Sequence, residues 1–132
     1  MRVLLDTHAF LWANLDPDRL EPWRDVVADP TTEVLLSAAS SWELAIKTST
    51  GRLHLPEPVA TYVPTRMRAI GITGVAVGHS HALAVAALPP HHRDPFDRLL
   101  IAQAVELDVP VLTADPAFDA YDVEILAIRP HR

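Results

Sequence analysis

VLLDTHAF, residues 3–10, runs three branched apolar residues into an acid, a threonine and a second apolar stretch. Val3-Leu4-Leu5 reads as a short strand, and the helical spacing that follows predicts a helix over about residues 8–13, with Asp6 at the junction. The same arrangement recurs along the chain. Val34-Leu35-Leu36 ends in Ser37 before a helical stretch over 39–50. Val109 to Leu112 ends in Thr113-Ala114-Asp115. Further apolar runs lie at 75–77 and 123–128, and further helical stretches at 17–28, 57–69, 79–88 and 95–107. The strands do not alternate apolar with polar, so both of their faces must be covered. Strands that alternate with helices point to an α/β fold with a mostly parallel sheet of about five strands and helices on both faces. Pro64 predicts a kink or a break in the 57–69 helix. Gly71, Gly74 and Pro89-Pro90 read as connectors. No repeat or linker divides the chain, so residues 1–132 are expected to form one domain.

Composition narrows the function classes. The chain has 132 residues, 49% of them hydrophobic, enough for a buried core. It has no cysteine, which excludes disulfides, a thiolate nucleophile and cysteine-bound zinc. No apolar run is long enough to span a membrane, and Asp6 interrupts the start too early for a signal peptide, so a soluble cytoplasmic protein with no membrane partner is expected. The formal charge of −6 argues against a purely electrostatic grip on nucleic acid. Of the 11 cationic residues only Lys47 is a lysine; arginine favours planar contacts to phosphate or carboxylate.

The helix over 95–107 begins HHRDPFDRLLIAQA, residues 91–104. Asp94 has the chemistry of an N-cap, Pro95 suits the first helical position, and Asp97 meets the positive end of the helix dipole. Helix initiation alone accounts for both acids. The other acids shift that reading. In open α/β sheets, sites form outside the carboxyl ends of the strands. Asp6 follows the first strand, Asp115 follows the strand ending at Leu112, Glu43 lies about a turn into the helix after Ser37, and Asp97 lies in a first helical turn. All four can face one rim. Asp16, Asp18, Asp25, Asp29, Asp108, Asp119 and Asp122 read as surface charges, as do Glu33, Glu57, Glu106 and Glu124. Four carboxylates gathered without a lysine cluster repel one another, and a hard cation such as Mg²⁺ or Mn²⁺ relieves that repulsion. Such an ion also activates water and stabilises charge on a phosphoryl group.

Leu4-Leu5-Asp6-Thr7-His8, Ser41 to Lys47, Asp94 to Ala104, and Leu112-Thr113-Ala114-Asp115 with Phe118 and Tyr121, in that order, resemble the PIN-domain ribonucleases. More closely, the chain resembles the VapC-type toxins of bacterial type II toxin–antitoxin pairs. The resemblance covers essentially the whole chain. It implies a PIN-like α/β/α sandwich and an endoribonuclease that cuts single-stranded or loop RNA with metal-activated water, leaving a 5′-phosphate and a 3′-hydroxyl. It further implies Asp6 and Asp97 as principal metal ligands, with Glu43 and Asp115 completing the catalytic pocket. Thr7 and Thr113 become hydrogen-bonding neighbours, and Asp94 a cap or an outer support. The partners implied are RNA, a VapB-type antitoxin covering the groove, and a second copy of the chain in a homodimer or a toxin–antitoxin hetero-oligomer.

Other residues have plainer readings. The seven histidines make no zinc-like spacing and read as structural or surface groups; His8 could also touch RNA. Trp12, Trp23 and Trp42 read as core or partner-facing. Lys47 pairs with Glu43 at i,i+4 or contacts phosphate, and Arg93 and Arg98 bind phosphate or balance charge. A response-regulator phosphoacceptor would need an acidic pair and a late lysine, and a haloacid-dehalogenase phosphatase an aspartate at position 8; neither is present. A catalytically inactive interaction module on the same fold is the remaining alternative.

Overall fold

The computed structural model describes residues 1–128. In chain order the elements are β1 (Arg2–Leu5), α1 (Thr7–Leu15), α2 (Arg24–Ala28), β2 (Glu33–Ser37), α3 (Ala38–Ser49), α4 (Val59–Ile70), β3 (Thr73–Val75), α5 (His79–Ala84), α6 (Pro95–Leu107), β4 (Val111–Thr113) and β5 (Ile125–Ala127). Short 3-10 turns lie at Pro17–Leu20, Val85–Ala87 and Pro116–Ala120. The five strands pair in parallel in the order β3-β2-β1-β4-β5. The sheet and the flanking helices are those of a PIN-like α/β/α sandwich.

The unalternated strands are explained by burial on both faces. Val3, Leu5, Val34, Leu36 and Leu112 pack into one core with Phe10 of α1 and Tyr62 and Val63 of α4. Leu4, Leu35 and Val111 point the other way, against Leu100, Ile101 and Ala104 of α6 and against Phe118. Burying one such side chain fully is worth roughly 1.5–3 kcal/mol, so the central strand is the anchor of both layers. Helix α3 contributes Ala39 to one core and Leu44 to the other, which sets it over the rim between them.

Three expectations shift. The third strand occupies Thr73–Val75 rather than 75–77, because Leu36 pairs with Gly74 and Ser37 with Val75; Ala76 and Val77 lead out of the sheet. The 17–28 stretch is a 3-10 turn followed by α2, since Pro22 prevents one continuous helix. The 57–69 stretch is one helix that runs through Pro64. The buried Tyr62 and Val63, with Met67 and Ile70 packed behind them, hold it to the core despite the lost hydrogen bond. Gly71 closes that helix at φ 82°, a left-handed conformation that suits glycine. Fully buried Gln103 donates to the Ala76 carbonyl at 3.3 Å and so ties α6 to the loop after β3.

The chain builds β1, β2 and β3 in one direction and then returns to the far side of β1 for β4. The crevice where order reverses opens at the carboxyl ends of β1 and β4, where α/β sheets place their sites.

Candidate metal centre at the switch point

Asp6 leaves β1 as the N-cap of α1, its Oδ1 accepting from the Ala9 N–H at 2.7 Å. Its Oδ2 accepts from the Thr113 hydroxyl at 2.6 Å, across the β1–β4 crevice. Asp6 is buried, and that burial raises its pKa above the usual carboxylate range against the opposing pull of these two hydrogen bonds and His8; Asp115 adds to the rise. Thr113 in turn accepts from the Asp115 N–H at 3.0 Å, and Asp115 Oδ1 caps the following 3-10 turn through Ala117. One hydroxyl therefore fixes two acids.

Glu43 is buried on α3. The Thr7 hydroxyl donates to its Oε1 at 2.7 Å and also lies 3.0 Å from Ser40 Oγ. Lys47 Nζ stands 2.7 Å from Glu43 Oε2, so the i,i+4 pair is the arrangement found.

Asp94 caps α6, with Oδ1 accepting from the Phe96 and Asp97 N–H groups at 2.9 and 3.2 Å. Asp97 is then aimed from the first turn into the crevice. Desolvation, followed by the charges of Asp94 and Asp6, raises its pKa to about 7; Glu43 adds a smaller push and His92 opposes it. These couplings put Asp6, Glu43 and Asp97 in one electrostatic field, and Asp115 reaches it through Asp6.

The tightest grouping contains a residue that sequence reasoning passed over. His92 Nε2 lies 2.9 Å from Asp97 Oδ2 and 3.3 Å from Asp115 Oδ2. One atom from each of the three falls within 4.8 Å of the others, the spacing of groups that can share a cation. Nε2 is buried and is aligned with neither oxygen well enough to make a hydrogen bond. Adjacent histidines at 91 and 92 carry no metal-site spacing, and only the fold brings residue 92 to residues 97 and 115. Of the four predicted acids, Asp97 and Asp115 converge on this point. Asp6 and Glu43 line the same crevice with their oxygens engaged by Thr113, Ala9, Thr7 and Lys47.

A cation fits this donor set. Several carboxylates face one crevice, with Lys47 bonded to Glu43 within it. Hard oxygen donors suit Mg²⁺ or Mn²⁺.

The guanidinium of Arg98 donates to the carbonyls of Val85 and Pro89, at 3.1 and 2.9 Å, and thereby holds the segment before α6. His8 is exposed on α1, with its ring 6.0 Å from that of Trp12. Trp42 is exposed and meets Phe96 edge-on at 5.1 Å, whereas Trp12 and Trp23 pack on the core.

A parallel sheet in the order β3-β2-β1-β4-β5, with acids from β1, α3, α6 and the end of β4 at its switch point, defines an α/β/α protein with an acidic candidate metal pocket. The sequence matches the PIN domain over residues 3–124, and the chain belongs to that family. It is 32% identical over 116 residues to Ribonuclease VapC22 of Mycobacterium tuberculosis, covering 86% of each protein. It is 46% identical over 67 residues to Ribonuclease VapC16 of the same organism, a match that spans 48% of that relative. Its fold is similar to the structure of VapBC2 from Rickettsia felis bound to a promoter DNA fragment, at a TM-score of 0.72, 12% identity and coverage of 96% of this chain and 98% of that one. FitAcB from Neisseria gonorrhoeae matches at a TM-score of 0.63 and 23% identity, covering 93% and 95%. Among the described residues no helix is long and apolar enough to cross a membrane.

Proposed function

We propose that the protein is a Mg²⁺- or Mn²⁺-dependent endoribonuclease, the toxin of a VapBC-type toxin–antitoxin pair, folded as one PIN domain and acting in the cytoplasm. The observation that carries the reading is the meeting of Asp97 and Asp115 at the switch-point crevice that Asp6 and Glu43 also line, with Asp97 pushed to about 7 by burial and its acidic neighbours. Kinship with relatives called ribonucleases supports the RNA substrate.

Asp6 and Asp97 would be the principal ligands of the ion, with Glu43 and Asp115 completing the pocket directly or through water. The bound ion supplies a polarised water and charge stabilisation for the phosphodiester. The chain's own residues prepare that chemistry. Thr113 orients Asp6 and the backbone of Asp115 together. Thr7 and Lys47 anchor Glu43, and the Asp94 cap aims Asp97. Because these groups are preset by hydrogen bonds, little reorganisation is needed when charge develops.

The antitoxin is proposed to cover the pocket from its apolar side. Trp42 and Phe96 sit next in sequence to Glu43 and Asp97, and with Ala82, Val85, Pro95 and Leu99 they line a cavity of about 220 Å³. A VapB-type partner is supported by the VapBC assemblies among the fold relatives, and a toxin homodimer is proposed on the family resemblance alone. The test is incubation of the purified protein with cellular RNA, with and without Mn²⁺, followed by sequencing of the new ends. We expect Mn²⁺-dependent cuts with 5′-phosphates, absent from Asp97→Asn. No cutting in any metal would instead mark a non-catalytic interaction module.

A further inference from the structure

The pocket contains a nitrogen where a ligand could stand, and its other ring nitrogen decides what that group does. We propose that His92 is the positioning residue of the acidic pocket: its imidazole, fixed through Nδ1, presents Nε2 between Asp97 and Asp115, holds them toward one point and is not itself a ligand. This rests on the metal-nuclease reading above.

His92 Nδ1 accepts from the Asp94 backbone N–H at 3.2 Å. A ring nitrogen that accepts a hydrogen bond carries no proton, so the ring proton resides on Nε2. A metal-bound histidine shows the reverse pattern: its free nitrogen donates, to a carbonyl or a carboxylate, while the ligating one is bare. Here the non-pocket nitrogen faces a donor that cannot be turned away, because the same residue, Asp94, caps α6 with its side chain. Ligation through Nε2 would set two N–H groups against each other.

The Nε2 proton has one place to go. The atom is buried, and its polar neighbours are the oxygens of Asp97 and Asp115 at 2.9 and 3.3 Å. Aligned with neither, it lies between the two oxygens. A donor between two carboxylates reduces their mutual repulsion and leaves their remaining lone pairs free, which is how outer groups support ligating carboxylates.

The segment bearing His92 is built for this. Its backbone N–H donates to the Tyr121 hydroxyl at 2.8 Å, and that hydroxyl also accepts from Arg98 at 3.3 Å. Arg98, one residue after Asp97, grips the carbonyls on the approach to His92. The imidazole stands edge-on to Phe118 at 6.2 Å. Ring position, ring orientation and tautomer are thus each fixed by a separate contact.

The test combines nitrogen NMR of the wild-type histidines with Mn²⁺ binding, followed by titration and pulsed EPR. We expect the Nε2–H tautomer for His92, and Mn²⁺ bound without a directly coordinated ¹⁴N. His92→Ala should weaken Mn²⁺ binding about 10- to 100-fold, the usual cost of losing an outer support. His92→Gln, whose amide N–H can reach the same oxygens, should recover most of that loss. A Nδ1–H tautomer, a directly coordinated nitrogen that vanishes in His92→Gln, or unaltered Mn²⁺ affinity in His92→Ala would each overturn the proposal. Should His92→Ala fail to fold, the two wild-type spectra decide. A wild-type protein that binds no Mn²⁺ overturns the metal reading itself, an outcome distinct from wild-type binding that His92→Ala leaves unchanged.

Discussion

Asp97 carries a cost that its fold alone does not require. In the folded state it keeps its proton until about pH 7, whereas the unfolded chain releases it near 3.8. The folded state therefore binds more protons between those values, and the stability due to this group is present below pH 3.8 and lost as pH rises through 7. Asp97→Asn removes the charge and keeps the shape. The variant should be more stable than the wild type at neutral pH, by on the order of 1–2 kcal/mol once solvent screening of a partly exposed group is allowed for. It should also lack the decline in stability between roughly pH 4 and pH 7. Urea unfolding of both proteins at several pH values checks this, and an unchanged slope in Asp97→Asn would place the cost elsewhere. A residue that destabilises the free fold while organising nothing in the core is what a binding site requires.

At the scale of elements, the start of α6 does two jobs with two acids. Asp94 supplies the cap and also pushes Asp97 up, and the two effects can be separated. Asp94→Asn keeps a good cap and loses the charge, so stability should hold while the pKa of Asp97 falls. Asp94→Ala loses both, and should cost about 0.5–2 kcal/mol of stability. Thermal melts of the pair, with the Asp97 titration followed by NMR, distinguish them. The family resemblance, not the helix start, separates Asp97 from Asp94; the cap itself was legible in the sequence because capping is local, with Asp94 and Pro95 at positions of fixed role. So were β1 and β2, whose runs of Val and Leu need cover on both faces. The third strand was misplaced by two residues because it lies at the sheet edge, where Gly74 rather than a large apolar residue meets Leu36. His92 and Arg98 were not legible at all. Their partners lie on other elements or are backbone carbonyls, and no spacing in the sequence encodes either.

The whole molecule turns these local costs into a single dependence on the ion. Five strands and two cores hold the crevice open at one edge, while Asp6, Asp97 and their neighbours repel one another within it. An ion that binds only the folded state adds stability as its concentration exceeds its dissociation constant, about 2.7 kcal/mol at a hundredfold excess. It must also displace the proton of Asp97, so its affinity should rise with pH until that group is ionised, near 7. The two pH dependences oppose each other. Without added metal, the contribution of Asp97 makes the protein less stable as pH rises from 5 toward 8; with saturating Mn²⁺ the decline should shrink or reverse. The shift in melting temperature caused by Mn²⁺ should therefore be larger at pH 8 than at pH 5, and should nearly vanish at both in Asp97→Asn. Equal shifts at the two pH values in the wild type would mean that the ion binds away from Asp97, and the pocket at the switch point would lose its claim to the metal.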